Sequence, residues 1–298
     1  MSDVLDALAA EIGDAGAVVA VGGRTQYEVG GAVDPAAREV RAPHGIVQHV
    51  PAEMTVRVRA GTTVADLDAE LAAAGQCVAL PSWTGATIGG VLAVGHSGLR
   101  RLGWGPVRDA VLEVRYVSAE GRVVKGGGPT VKNVSGYDVP RLFVGSLGTL
   151  GVIGEVVLRT RPISAFERWF AGEGVDPFVL LRRTYRPTSV LWDGTTTWML
   201  LDGHPDDVDA QGRASGLSEI DPSTLPALPP HRWSLPPSEL TNLPGDGHGA
   251  FVAEVGVGVV HRDAPQPRRE VAEPIVELQR RIKDAFDPAG RFAPGRMP

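Results

Sequence analysis

The residues with the clearest chemical potential are glycines. The chain has 38 among its 298 residues, well above the usual ~7%, and 12 of them fall in three blocks. GGRTQYEVGG spans 22–31, GATIGGVLAVGHSG spans 85–98 and GSLGTLG spans 145–151. Glycine permits positive φ and lets backbone approach a ligand closely. Clustered N–H groups bind anions without net positive charge. The first block, Gly22 to Gln26, is short enough to wrap one pyrophosphate. The second also carries Ile88, Val91, Leu92 and Val94, which would anchor it to a core. Its expected role is a rigid wall for an extended, partly aromatic ligand. Any one block alone reads equally well as a glycine-rich connection between sheets.

Polar side chains near these blocks add candidates. His96 can sit beside a ring system or satisfy a local backbone group. Arg100 and Arg101 suit a phosphate or a carboxylate, and equally a solvated surface. Lys132 and Tyr137 can donate protons or simply hold structure. Arg232 and Trp233 can face a ligand or form a surface arginine beside a core tryptophan. No nucleophile–base pair or metal-ligand cluster stands out, so no metal is expected.

Composition narrows the classes. Net charge is −6, which argues against a nucleic-acid backbone as the main partner. The single cysteine, Cys77 in GQCVALP, excludes intrachain disulfides and Cys-cluster metal sites; it reads as a core thiol in a buried strand. MSDVLDALAAEIGDAG at the N-terminus lacks a basic region and a long apolar run, so it is no secretory signal. No apolar run reaches the length of a membrane span. The expected location is cytoplasmic.

The elements that would position these residues follow from periodicity. Residues 3–14 form a short amphipathic helix, and 17–21, 46–50 and 55–61 form strands. Thr62 or Thr63 caps a helix over 64–74 that Gly75 ends. A hairpin covers 108–128, and a long strand ends at Pro162. Beyond 163 come a helix over 175–184, two strands within 188–203, a helix over 206–219, a strand over 250–260 and a helix over 269–285. The Pro-rich 221–249 cannot be regular throughout. The alternation lacks a βαβ period, which indicates α+β. No G-x-G-x-x-G follows a strand, and no P-loop, H-E-x-x-H or G-x-S-x-G occurs.

Three segments together resemble a known family. They are GATIGGVLAVGHSGLRRLGWGPVRDAVL (85–112), GGPTVKNVSGYDVPRLFVGSLGTLGVIGEV (127–156) and FDPAGRFAPGRM (286–297). The chain is similar to the vanillyl-alcohol-oxidase/PCMH flavoproteins, and within them to the FAD-binding, E-type subunits of glycolate oxidase. The resemblance implies an α+β PCMH-type FAD-binding domain of two α+β subdomains over 1–162. A small C-terminal α/β cap over 163–285 and a tail over 286–298 returning to the first domain would follow. It implies that Gly22, Gly23, Arg24, Thr25 and Gln26 bind the FAD pyrophosphate. Pro81, Gly85, Ala86, Thr87, Ile88, Gly89, Gly90, Gly95, His96, Ser97 and Gly98 would run along diphosphate, ribityl and flavin. Asp138, Gly148, Gly151, Val152 and Ile153 complete the cofactor set. His96, Lys132, Tyr137 and Arg232 are the catalytic candidates.

The departures from the family pattern matter. GGRTQYE has no histidine for a covalent tether, so non-covalent FAD is expected. FAPG stands where FNPG is usual, with Ala293 replacing Asn. The late histidines His204, His231, His248 and His261 are widely spaced, unlike the closely spaced cap histidines of related subunits. The implied activity is hydride transfer from a 2-hydroxy acid such as glycolate, with a larger flavin subunit and an iron–sulfur subunit as partners. The alternatives are a non-catalytic flavin-binding or scaffold subunit, and a stand-alone oxidase of a sugar, lactone or alcohol.

Overall fold

The structure is a computed structural model that describes residues 3–81, 83–128, 138–267 and 270–296. The candidates Lys132 and Tyr137 lie outside the described residues. The chain divides into two compact units, Met1–Gly98 with Pro106–Ile163 and Val271–Pro298, and Leu99–Gly105 with Ser164–Glu270.

The first unit begins with α1 (Asp3–Ile12), then β1 (Val18–Ala20) and β2 (Arg38–Val40), a parallel pair. β3 (Ile46–Val50) and β4 (Thr55–Arg59) follow, then α2 (Val64–Ala72), β5 (Gln76–Cys77) and α3 (Ile88–Val94). After α4 (Arg101–Trp104), which belongs to the second unit, come β6 (Val111–Val117), β7 (Val123–Gly127), α5 (Val139–Phe143), β8 (Val152–Arg159) and β9 (Arg161–Pro162). β3-β4-β8-β6-β7 form one antiparallel sheet. β4 reads TVRVR, with Val56 and Val58 buried and their neighbours half-exposed, as period-2 alternation requires. Those valines pack with Val114 of β6, Val156 and Leu158 of β8, Leu67 and Leu71 of α2, and Ile88, Val91 and Leu92 of α3. Thr63 caps α2 by accepting the Asp66 N–H. Cys77 is only partly buried; its strand is an edge pair of two residues with β9, too short to enclose it.

The second unit holds β10 (Glu167–Glu173), α6 (Pro177–Arg183), β11 (Ser189–Trp192), β12 (Thr196–Asp202), α7 (Pro205–Ser215), β13 (Ser218–Ile220), β14 (His231–Ser234), β15 (Val252–Glu254) and β16 (Val259–Arg262). Its seven-stranded sheet has the order β13-β10-β12-β11-β15-β16-β14, antiparallel at every pairing. Both faces are covered. Phe170, Val190 and Met199 pack with Leu180 of α6 and Val208 of α7, while Trp169, Leu191, Trp198 and Val252 form a separate cluster. Residues 250–260, expected as one strand, are a hairpin of β15 and β16 that turns through Gly256 and Gly258. Both glycines have positive φ, which a continuous strand would not require.

The last helix, α8 (Glu273–Phe286), was grouped with the second domain from sequence, but it belongs to the first unit. Phe286 reaches Tyr116 and Phe143, with ring centroids 6.3 and 6.0 Å away. The segment after it is tied down by polar contacts. Asp287 pairs with Lys283 at 2.5 Å and accepts the N–H groups of Arg291 and Phe292. Arg291 donates to the carbonyls of Ile12, Gly13, Ala15, Gly16 and Ala119. Most of these lie at or just past the C-terminus of α1, where orphan carbonyls and the helix dipole favour a cation.

Candidate functional site

A cleft in the first unit is lined by residues from all three glycine blocks. The space between its walls, with the open mouth included, is about 860 Å³. β1 delivers the loop Val21 to Tyr27 to one side of it. α3 and its cap contribute Thr87, Gly89, Gly90, Val91, Ala93 and Val94, the third block contributes Leu147, Gly148 and Gly151, and β8 contributes Ile153.

The glycines divide by what a side chain would meet. A Cβ on Gly22 would lie 2.1 Å from the Thr87 hydroxyl oxygen, and one on Gly23 would lie 1.7 Å from the Gly85 carbonyl oxygen. The first two blocks therefore touch, and these glycines serve that contact. Gly89 is likewise pressed against Ala60, and Gly61 against the Ala42 carbonyl. Gly90 and Gly148 differ. A Cβ on Gly90 meets only the Thr87 oxygen, at 3.1 Å, and one on Gly148 meets nothing within 4 Å. Both line the cleft, so what they leave room for is its occupant.

The hydrogen bonding separates two groups of backbone donors. At the start of α3, Ile88 and Gly89 donate to the carbonyls of Thr62 and Ala60, and Gly90 donates to the Thr87 side chain. That helix end is satisfied by protein. The N–H groups of Gly22 to Gln26, by contrast, donate to no other described residue. Five successive free donors beside a cleft are what an oxyanion-rich group needs. Arg41 braces the loop by donating to the Gly22 carbonyl at 3.2 Å. Arg24 holds positive φ, 57°, ion-pairs with Glu39 and lies 5.0 Å from the Tyr27 ring centre. Strained, non-glycine backbone of this kind concentrates at functional sites. The lining includes Arg24 and Arg296 and no carboxylate among the described residues.

The other sequence candidates are placed as follows. Gln26 lines the cleft, and its amide nitrogen is 3.3 Å from His96 Nδ1 behind it. Ala86, Ile88 and Val152 are in the core. Ser97 is buried and accepts the Val107 N–H at 3.1 Å, which is structural work. Gly95 ends α3 with φ 74° and abuts the Gly145 backbone. Gly85 forms the turn whose carbonyl meets Gly23, and Gly98 packs on Pro81. Asp138 is at the surface, ion-paired with Arg141 at 2.7 Å. Tyr27, Ala42, Ala60, Gly61, Leu147 and Arg296 line the cleft without having been singled out. Gly61 stands in a strand-ending RAG whose glycine was legible; the others carry no local signal.

Arg232 lies in the second unit, on β14, in a group of polar side chains in which Glu254 is buried and Arg232 and His261 are partly buried. Its guanidinium is 3.9 Å from Glu254 Oε1, and His261 Nε2 is 2.9 Å from the same oxygen. Glu254 Oε2 is buried and makes no hydrogen bond among the described residues. Burial pulls the Arg232 guanidinium below its ordinary value, Glu254 opposes this and nearby Arg101 reinforces it. Arg100 pairs with Glu167 through both nitrogens, at 2.6 and 3.0 Å.

Known proteins agree with this geometry. The family described as FAD binding domain matches residues 3–127, and that of FAD linked oxidases, C-terminal domain, matches residues 243–297. Glycolate oxidase subunit GlcE of Escherichia coli (strain K12) is 30% identical over 96% of this chain and 94% of its own length. D-lactate dehydrogenase of Archaeoglobus fulgidus is 42% identical, over 35% of this chain and 24% of that protein. Among solved structures, an alkyldihydroxyacetonephosphate synthase superposes with a TM-score of 0.73 at 14% identity, covering 99% of this chain and 74% of that one; this likeness speaks to fold. A chain whose glycine loops offer free amides beside an acid-free cleft, and which a glycolate oxidase subunit matches from end to end, belongs to the PCMH-type, FAD-linked oxidoreductases.

Proposed function

We propose that this chain works on a 2-hydroxy acid such as glycolate, inside a complex with a larger flavin subunit and an iron–sulfur subunit. The observation that carries the reading is the end-to-end similarity to the glycolate oxidase subunit, joined to a cleft shaped for a diphosphate ligand. When bound, FAD supplies the hydride acceptor. The residues of the chain do the rest. The N–H groups of Gly22 to Gln26 hold the diphosphate, and Gly90 and Gly148 leave the backbone open to close approach. Binding is non-covalent, because the loop offers no histidine and Cys77 is not among the cleft-lining residues.

The second unit supplies groups suited to a hydroxy acid. Arg232 can take the carboxylate. With its Nε2–H donated to Glu254, His261 keeps Nδ1 as a lone pair able to accept the hydroxyl proton. No helix among the described residues is long and apolar enough to cross a membrane, which suits the proposed cytoplasmic site of action.

The test is anaerobic titration of the FAD-loaded complex with glycolate, following visible flavin absorbance. Bleaching is expected. If FAD binds but neither glycolate nor D-lactate bleaches it, in the complex or in the chain alone, the 2-hydroxy-acid reading falls and the scaffold reading takes its place.

A further inference from the structure

Arg24 and Arg296 are the cations that line the cleft, and they are held differently. Arg24 is neutralised by Glu39. Arg296 has no carboxylate within ion-pair distance among the described residues. Its Nη2 donates to the Tyr27 carbonyl and its Nε to the Gly31 carbonyl at 3.4 Å. Its guanidinium lies 4.5 Å from the Tyr27 ring centre. Two carbonyls and a ring face orient a guanidinium without cancelling its charge. Among the described residues, two of its five N–H donors are used.

Its position is as specific as its charge. The carbonyl it grips belongs to Tyr27, directly after the loop whose five N–H groups donate to no other described residue. The segment that carries it is fastened at each step. Ala293 donates to Val18, Asp34 donates to Pro294, and Gly295 sits so close to the Ala32 carbonyl that a Cβ would lie 2.9 Å from it. This guanidinium is presented by a fixed strap, not by a loose end.

We infer that Arg296 is a cofactor-binding residue, the charge partner of the diphosphate held by the 22–26 loop. The inference rests on the FAD reading above. It adds a residue that no glycine block contains, and it gives a cleft cation that has no carboxylate partner among the described residues a ligand of opposite charge. Free amides then set the geometry of the diphosphate, and Arg296 answers its charge.

The experiment measures binding, not turnover. FAD, ADP and riboflavin are titrated against the wild-type chain, Arg296→Gln and Arg296→Lys, at low and moderate salt, with thermal melting as the folding control. Arg296→Gln is expected to weaken FAD and ADP by about 10- to 100-fold, the scale of a charge-assisted hydrogen bond. It should leave riboflavin unchanged and flatten the salt dependence of FAD affinity. Arg296→Lys, which keeps the charge, should recover part of the loss. If Arg296→Gln binds FAD as tightly as wild type, or weakens riboflavin as much as FAD, the assignment is overturned. Should Arg296→Gln melt early, Arg296→Lys decides: loss of salt dependence there also overturns it. A wild-type chain that binds neither FAD nor ADP would instead remove the FAD reading beneath it.

Discussion

The cleft of the first unit and the Arg232 group of the second solve opposite problems with opposite materials. The cleft is made of main chain. Its donors are the N–H groups of Gly22 to Gln26, and its specificity lies in side chains that are missing. The Arg232 group is made of side chains. One comes from β14 and two from the β15–β16 hairpin, and they pair with one another in the interior. Backbone donors persist through almost any substitution that adds no Cβ in the wrong place. A side-chain group fails when one member goes, because a buried charge or dipole is then left alone. The cleft should be sensitive to what is added, the group to what is removed.

The largest expected effect tests the second half of that statement. Glu254→Ala removes the carboxylate shared by Arg232 and His261, and breaking a buried pair costs about 3–5 kcal/mol, read as a lower denaturant midpoint. Glu254→Gln keeps the volume and should lose less. A cost under ~1 kcal/mol for the alanine variant would mean the group does not hold the hairpin.

Next comes a pair that tests the first half. Gly23→Ala drives a Cβ into the Gly85 carbonyl and should cost ~3 kcal/mol, at the upper end of overpacking effects, along with FAD binding. Gly90→Ala brings a Cβ to 3.1 Å from the Thr87 hydroxyl oxygen alone, a tight contact that offsets the up to ~1 kcal/mol by which alanine favours the helix. It should therefore spare stability yet weaken FAD at least ~10-fold by filling the cradle. If Gly90→Ala binds FAD normally, close backbone approach is not how the cleft works.

The smallest effect concerns a buried charge inside the first unit. Glu113 is fully buried on β6, next to core Val114, so it points away from the main core. Burial pushes its carboxyl up, but Arg57 at 2.8 Å and Lys125 at 3.3 Å outweigh burial and hold it below the ordinary value. A carboxyl depressed on folding contributes stability that is present above its unfolded pKa, ~4.3, and is lost as pH falls through the folded value. Stability should thus decline below about pH 5, and Glu113→Gln should reduce that slope. An unchanged slope would place the acid sensitivity elsewhere.

Much of this arrangement was legible in the sequence, where local rules dominate. TVRVR alternates because one face of β4 is buried. Thr63 and Gly75 bracket α2 as a cap and a C-terminal glycine should. The glycine blocks announced the cleft, though the helix α3 within the second block was not anticipated. Ile88, Val91 and Leu92 occupy i, i+3 and i+4 and are all buried, so helical packing overrides the ~1 kcal/mol that each glycine costs a helix. β10 was missed because Trp169 and Phe170 enter clusters on opposite faces, which erases alternation. The Arg232 group was invisible as a group because its members meet only through sheet register.

Arg296 was beyond sequence reasoning for a related cause: it meets Tyr27 across 269 residues of chain. That separation has a consequence during synthesis. At the usual elongation rate of 5–20 residues per second, roughly 15–50 s separate the two residues on the ribosome. Throughout that interval the 22–26 loop lacks its strap, while the contiguous stretch from Ser164 to Glu270 is already emerging. On the Arg296 assignment proposed above, tight loading of the flavin waits for the final moments of translation or after it, and a chain stalled or cleaved before Arg296 would hold the flavin more weakly.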